Sequence, residues 1–205
     1  NPPSRLTRIL ERCTPSIVMA DHHCSEELTR CFQEQERAIV NDFPTTFERE
    51  KNQYSTNLPT QCHNVLGTAP AYLMFTSGST GFPKGAIITH LNLINFIQWS
   101  LVRFGVTSSD RISNVNPIYF DNSVFDFYSA LFSGACLLPV TKSLLDTPNK
   151  TVEFLTEQNC TLWFSVPSML VYLNTLKLLN GQFLDSVKYF VFGGEGFPKS
   201  ELKKV

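Results

Sequence analysis

From residue 71 to residue 205, short runs rich in β-branched and aromatic residues alternate with longer stretches of helical period. That alternation commits a chain to an α/β fold on a mostly parallel sheet, because parallel neighbours are joined by crossover helices. The expected strands are 71–76, 86–89, 137–140, 162–166 and 189–192. Between the second and third, Leu91, Leu93, Ile94, Ile97, Leu101 and Phe104 give a helical face that Gly105 is suited to end in the left-handed conformation. A second helix carries Val124, Phe127, Tyr128, Leu131 and Phe132. Two more start at Pro148 and Pro167, where the missing N–H of a first helical residue costs nothing, and a fifth starts at Pro198.

Residues 1–70 carry a weaker pattern. Helices are expected over 5–12 and 26–39 and a short strand over 16–19, while the polar stretch 41–68, rich in Asn, Gln, Thr and Pro, reads as a surface connection. There is no internal repeat. At roughly 150 residues per domain, 205 residues make about one domain with its own core.

Composition narrows the class. Apolar residues reach 42% while charged ones stop at 17%, below the roughly 25% usual in soluble chains, so disorder is excluded and part of the surface is expected to be covered by a partner or by more of the same protein. Seventeen Lys and Arg against eighteen Asp and Glu leave a net charge of −1 with no basic run, which argues against a nucleic-acid partner. The six cysteines, at 13, 24, 31, 62, 136 and 160, show no C-x-x-C spacing, and no apolar stretch nears the ~18 residues of a membrane span. A reducing, cytoplasmic setting without membrane association is expected. Asp21-His22-His23-Cys24 is set aside as a zinc site, since consecutive side chains do not easily converge on one ion, and no metal site is assigned. The chain opens Asn1-Pro2-Pro3 without Met and stops just after a helix start, so both ends are expected to be cut from something longer.

The chemistry concentrates in Thr76-Ser77-Gly78-Ser79-Thr80-Gly81-Phe82-Pro83-Lys84-Gly85, which puts four hydroxyls, three glycines and a lysine between two strands. Glycines let backbone N–H groups form an anion nest, hydroxyls donate to phosphate oxygens and the ammonium adds a point charge. A polyphosphate suits that inventory. A Walker A loop does not, because Pro83 stands where it needs Gly, Gly85 where it needs a hydroxyl, and a strand follows instead of a helix. Read on composition alone, the segment is equally an ordinary Ser/Thr/Gly hairpin.

Residue order favours the first reading. Tyr72-Leu-Met-Phe-Thr-Ser-Gly-Ser-Thr-Gly-Phe-Pro-Lys-Gly85 resembles the phosphate loop of the AMP-forming adenylate-forming enzymes, the AMP-binding superfamily that includes nonribosomal peptide adenylation domains, acyl- and aryl-CoA synthetases and luciferases. His90-x-Asn92-Leu93 is similar to the family pattern that follows. The resemblance implies ATP with Mg²⁺, with Thr76, Ser77, Gly78, Ser79, Thr80 and Gly81 around the β- and γ-phosphates and Lys84 assisting catalysis from the far end of the loop.

A second segment, Pro117-Ile-Tyr-Phe-Asp121-Asn122-Ser123-Val124-Phe125, bears on the acid activated. An Asp before a helix is most often a cap. Ser123 with Asp126 three residues later is expected to form the capping box, which leaves Asp121 without a local partner; beside aromatic residues such a carboxylate calls for a cation. The resemblance supplies one, since F-D-x-S is similar to the motif by which amino-acid-activating members hold the substrate α-ammonium. It further implies a side-chain pocket from Asn122, Phe125, Ser165, Val191 and Gly193, made shallow by Phe125, with Gly194 and Glu195 against adenine. Taken alone, Gly193-Gly194 is a plain β-to-α connection. The runs 161–168 and 192–198 are similar to those of D-alanine ligases that load a carrier protein.

The resemblance makes this chain a piece of the family's large N-terminal domain. The N-x-Y-G-P-T-E and T-G-D segments and the small domain with its adenylation lysine do not occur in these 205 residues, so the chain by itself is expected to be inactive or nearly so. The implied activity of the parent is formation of aminoacyl-AMP with loss of pyrophosphate, then transfer to the phosphopantetheine thiol of a carrier protein. An acyl- or aryl-CoA synthetase, or a nucleotide-binding remnant without catalysis, are the alternatives.

Overall fold

The computed structural model describes residues 3–19, 38–40, 64–76, 83–179 and 181–203. Residues 21–24, residues 26–37 of the helix expected over 26–39, most of the polar connection (41–63) and Ser77, Gly78, Ser79, Thr80 and Gly81 lie outside them. The chain divides into two units, Asn1–Ala69 with Phe75–Ile87, and Pro70–Met74 with Ile88–Val205.

In the first unit, helix α1 (Pro3–Cys13) precedes strand β1 (Ile17–Met19), which pairs in parallel with β2 (Ala38–Val40), Ile17 opposite Ala38 and Met19 opposite Val40. Ala38 and Ile39 therefore stand in a strand, not at the end of the expected helix; the Ile39-Val40 pair is β-branched, and cross-strand pairing overrides the helical period. Arg5 Nη2 donates to the carbonyl of Phe75 at 3.2 Å. Strands β3 (Pro70–Thr76) and β4 (Lys84–Thr89) pair with each other, and the boundary between the units falls within both. Beside the loop that joins them, Thr76 Oγ1 donates to the carbonyl of Lys84 at 3.4 Å.

The second unit runs α2 (His90–Phe104), β5 (Arg111–Asn114), α3 (Asn122–Ser133), β6 (Cys136–Pro139), α4 (Lys142–Leu145), α5 (Pro148–Glu157), β7 (Leu162–Ser165), α6 (Pro167–Thr175), α7 (Gly181–Ser186), β8 (Tyr189–Phe192) and α8 (Lys199–Leu202). Its four strands form one parallel sheet in the order β6-β5-β7-β8. The expected α/β class is thus present, with β5 as an additional central strand. Thr89 and Asn92 cap the start of α2 reciprocally: Asn92 N donates to Thr89 Oγ1 at 3.2 Å and Thr89 N to Asn92 Oδ1 at 3.1 Å. Gly105 ends that helix at φ +57°. Pro148 and Pro167 occupy first helical positions, whereas Pro198, with ψ 129°, stays extended and only precedes α8.

Helices cover both faces of the sheet, as a parallel sheet requires. Along β7 the side chains alternate: Leu162 joins Ile112, Phe125 and Ala130 on one face, while Trp163 joins Leu155, Leu170 and Leu173 on the other. All of these but Ala130, at 2%, are at or below 1% exposed, so β7 is the spine of the core.

At the amino-terminal edge of the sheet, buried Asp110 ties three segments together. Its Oδ1 accepts from Lys188 Nζ at 2.6 Å and Thr161 Oγ1 at 2.9 Å, its Oδ2 from Thr107 N at 2.9 Å and Thr107 Oγ1 at 3.1 Å. Burial alone would raise the pKa of this carboxyl, but the bonds from Lys188, Thr107 and Thr161 outweigh it and hold the group below its ordinary range. Asp110→Ala is expected to lower the unfolding free energy by about 1–3 kcal/mol, since it removes a buried carboxylate that accepts four hydrogen bonds while its donors on Thr107 and Lys188 are exposed and regain water, and a denaturant midpoint measures it. The Asp110 contribution is complete above the ordinary carboxyl pKa of 3.8 and is lost as pH falls through the lower folded value.

Candidate active site

In open parallel sheets the backbone turns away from the sheet at the carboxyl ends of the strands, leaving a crevice where ligands bind. Three connections meet at that edge here, residues 115–121 after β5, Val166 after β7 and residues 193–198 after β8. They carry Asp121, Gly193, Gly194 and Glu195, while Asn122, Phe125, Ser165 and Val191 stand on the adjoining elements α3, β7 and β8.

Asp121 stands immediately before α3 and is exposed. Its backbone is helical (φ −62°, ψ −25°) and its side chain makes no cap hydrogen bond. The expected capping box at Ser123 and Asp126 does not form. Turns at 117–121 run straight into the helix, so α3 starts two residues earlier, at Asn122; Ser123 Oγ donates back to the carbonyls of Phe120 at 2.7 Å and Ile118 at 3.3 Å, and Asp126 points into the core. Asp121 is nonetheless without capping work, for a different reason. It lies within electrostatic reach of Tyr72, whose phenol is pushed up by burial, then by Tyr128 and by Asp121.

Asn122, Phe125, Ser165, Val191, Gly193 and Gly194 are gathered around Phe164 and Val166. Phe125, 1% exposed, packs edge-on against Phe164 with ring centroids 5.2 Å apart. Val191 packs on the same cluster as Phe125. A Cβ on Gly193 would meet the Phe164 ring at 3.6 Å. Gly194 has φ +90°, where side chains are strained, and a Cβ there would meet Val166 Cγ1 at 3.5 Å and Asn122 Nδ2 at 3.6 Å. The turn expected beside the purine thus lies directly against the residue expected to line the substrate pocket. Ser165, 2% exposed, has its hydroxyl committed: it accepts from Trp163 Nε1 at 2.7 Å and donates to the carbonyl of Val166 at 3.2 Å.

Glu195 is engaged as well. Its Oε1 accepts from Ser168 N at 2.8 Å, in the first turn of α6, and that bond holds its carboxyl below the ordinary range. Thr76 and Lys84, both exposed, belong to the first unit, where they flank the loop at the ends of β3 and β4.

Three residues at this edge carry no signal in the sequence. Asp126 is fully buried on α3, and its Oδ2 accepts from Asn116 Nδ2 at 3.0 Å and Asn114 Nδ2 at 3.2 Å. Burial pushes its carboxyl up to about 8 in spite of those bonds. Asn116 Nδ2 also donates to the carbonyl of Phe164 at 2.8 Å. An Asp-Asn-Asn set spread over residues 114–126 has no fixed spacing to announce it. Among the described residues no group of three His, Cys, Asp or Glu could hold a metal ion, and no helix is long and apolar enough to cross a membrane.

With its connections gathered at the carboxyl edge of a four-stranded parallel sheet, the second unit is an α/β domain of the open-sheet class. The chain belongs to the AMP-binding enzyme family, whose profile matches residues 1–205. It is 32% identical over 208 residues to the L-proline L-prolyl-carrier protein ligase of Pseudomonas fluorescens, across 99% of this chain and 41% of that protein. It is 31% identical over 172 residues to the D-alanine D-alanyl carrier protein ligase of Bacillus anthracis, across 81% of this chain and 34% of that protein. The adenylation domain AlmE of Vibrio cholerae, solved with glycyl-adenosine-5'-phosphate, shares the fold at a TM-score of 0.80 and 24% identity, over 98% of this chain and 41% of that one. The chain therefore spans about two-fifths or less of the length of these relatives.

Proposed function

We propose that the protein containing this chain activates an amino acid as its aminoacyl-AMP and passes the aminoacyl group to the phosphopantetheine thiol of a carrier protein, in a cytoplasmic setting. In the first half reaction a substrate carboxylate oxygen bonds to the α-phosphorus of ATP as the bond to pyrophosphate breaks. In the second, the thiol sulfur attacks the acyl carbon, loses its proton, and AMP leaves. No protein nucleophile is needed, so the chain's part is positioning and charge neutralisation.

The observation that carries this reading is Asp121, an acid at the carboxyl edge of the sheet that caps no helix. Family membership and the carrier-protein ligase names of its relatives support it. Asp121 would hold the substrate ammonium, with Asn122, Phe125, Ser165, Val191 and Gly193 around the side chain; buried Phe125 and the committed hydroxyl of Ser165 suit a small, apolar one. Gly194, which presents bare backbone, and Glu195, which fixes that turn to α6, would border the adenine. Thr76, Ser77, Gly78, Ser79, Thr80, Gly81 and Lys84 would take the phosphates by their chemistry of hydroxyls, glycine N–H groups and an ammonium, and Mg²⁺ would arrive with the nucleotide.

The test is a screen of the full-length protein for pyrophosphate exchange dependent on each amino acid. Exchange with one or a few small amino acids is expected. Exchange driven only by fatty or aryl acids would move the protein to the acyl- or aryl-CoA synthetases, and nucleotide binding without any exchange would make it a non-catalytic remnant.

A further inference from the structure

Among the described residues, Asp126 is a buried acid that the proposed chemistry does not use and that no cation meets. Asp126 is 0% exposed, yet only its Oδ2 is hydrogen-bonded; Oδ1 has no partner among the described residues. An acid in such a place is tolerated as a neutral group that accepts from amides, and its raised pKa agrees with that form at neutral pH.

What those bonds connect is specific. Asp126 sits on α3, one residue after Phe125 and five after Asp121. Asn116, 8% exposed, uses one amide nitrogen to bridge Asp126 Oδ2 and the carbonyl of Phe164 on β7. The Phe164 ring in turn lies between Phe125 and Gly193, and Ser165 follows it. Asn114, at the end of β5, donates to Asp126 Oδ2 and to the carbonyl of Asn116 at 3.2 Å each, which holds the bridging residue in place. The start of α3 and the carboxyl end of β7 are thereby joined by a polar link through the middle of an apolar contact.

Building on the amino-acid reading above, we propose that Asp126 is a positioning residue for the side-chain pocket, setting through Asn116 the separation between the Asp121-bearing start of α3 and the Phe164-Ser165 end of β7. The pocket width, and with it side-chain selectivity, then depends on a group that never touches the substrate. Asp126→Ala removes the acceptor and frees α3 to shift from β7. Asn116→Ala keeps the acid and its Asn114 bond but cuts the link to Phe164. Asp126→Asn keeps a neutral acceptor of the same shape and leaves the link whole.

Two measurements separate this from a purely structural role. In the full-length protein, Asn116→Ala and Asp126→Ala are expected to raise the KM for the amino acid by about tenfold or more and to improve larger amino acids relative to the best substrate, while the KM for ATP stays within about twofold and Asp126→Asn behaves like wild type. In the 205-residue chain, the indole N–H of Trp163, which donates to Ser165 Oγ, reports the end of β7; its NMR resonance is expected to move in Asn116→Ala and to stay in Asp126→Asn. If Asp126→Ala does not fold, Asn116→Ala decides. An unchanged amino-acid KM in Asn116→Ala, or equal rises for amino acid and ATP, overturns the inference while leaving the function standing. Wild-type protein that exchanges pyrophosphate with no amino acid overturns both.

Discussion

Asp121→Ala in the full-length protein is expected to cut amino-acid-dependent pyrophosphate exchange by about 30-fold to several-thousand-fold in kcat/KM. That range corresponds to the roughly 2–5 kcal/mol lost when one member of a desolvated charge pair is removed and the other, here the substrate ammonium, is left unpaired. Stability should hardly move. The Asp121 side chain makes no cap hydrogen bond and its carboxylate is exposed, so alanine there breaks no hydrogen bond of the helix start. A thermal midpoint within a degree or two of wild type, together with the kinetic loss, assigns the effect to the substrate. The same substitution leaves a fatty-acid or aryl-acid enzyme at full rate, because those substrates carry no ammonium, and that outcome would remove the amino acid from the proposal.

Where the sequence was legible, one local rule was enough. The hydrophobic period and Gly105 fix α2 and its end, and Pro148 and Pro167 mark helix starts because a first helical residue needs no N–H. β5 escaped notice for the opposite reason. Arg-Ile-Ser-Asn has one large apolar residue and carries no strand pattern, yet it is a central strand whose Ile112 and Ser113 are both fully buried, with neighbours more than twenty residues away in sequence supplying the context. The capping box failed likewise: Ser123 and Asp126 have the right spacing, but Asn114 and Asn116 offer Asp126 buried partners that no local window reveals. The candidate residues Asp121, Asn122, Phe125, Gly193, Gly194 and Glu195 can be picked out from the F-D-x-S and Gly-Gly-Glu runs. Their mutual arrangement cannot, since it depends on Phe164 standing between Phe125 and Gly193 and on Glu195 reaching back to Ser168.

Asp126→Asn is expected to stabilise the protein in a pH-dependent way, and the sign follows from the direction of the shift. The folded carboxyl is pushed up to about 8 from an ordinary 3.8, chiefly by burial. Between those values the unfolded chain has released a proton that the folded chain still holds, so each pH unit in the window removes about 1.4 kcal/mol from the unfolding free energy, on the order of 6 kcal/mol across the whole window. The loss is absent below the lower value and constant above the upper one. Asparagine cannot ionise, so the variant's advantage over wild type should grow from about pH 4 to about pH 8 and then level off. Urea unfolding of both proteins across that range measures it, and a difference that does not vary with pH would show that Asp126 is not held neutral. Neighbouring groups do not confuse the comparison: Cys160, the buried thiol coupled to Asp126, is pushed up to about 12, and Asp110 titrates below its ordinary value, outside the window. The stability and kinetic arms then bear on each other. A pH-dependent gain in stability in Asp126→Asn, together with a wild-type amino-acid KM, assigns the link to Phe164 to the acceptor oxygen at this position and the stability cost to the ionisation of the acid.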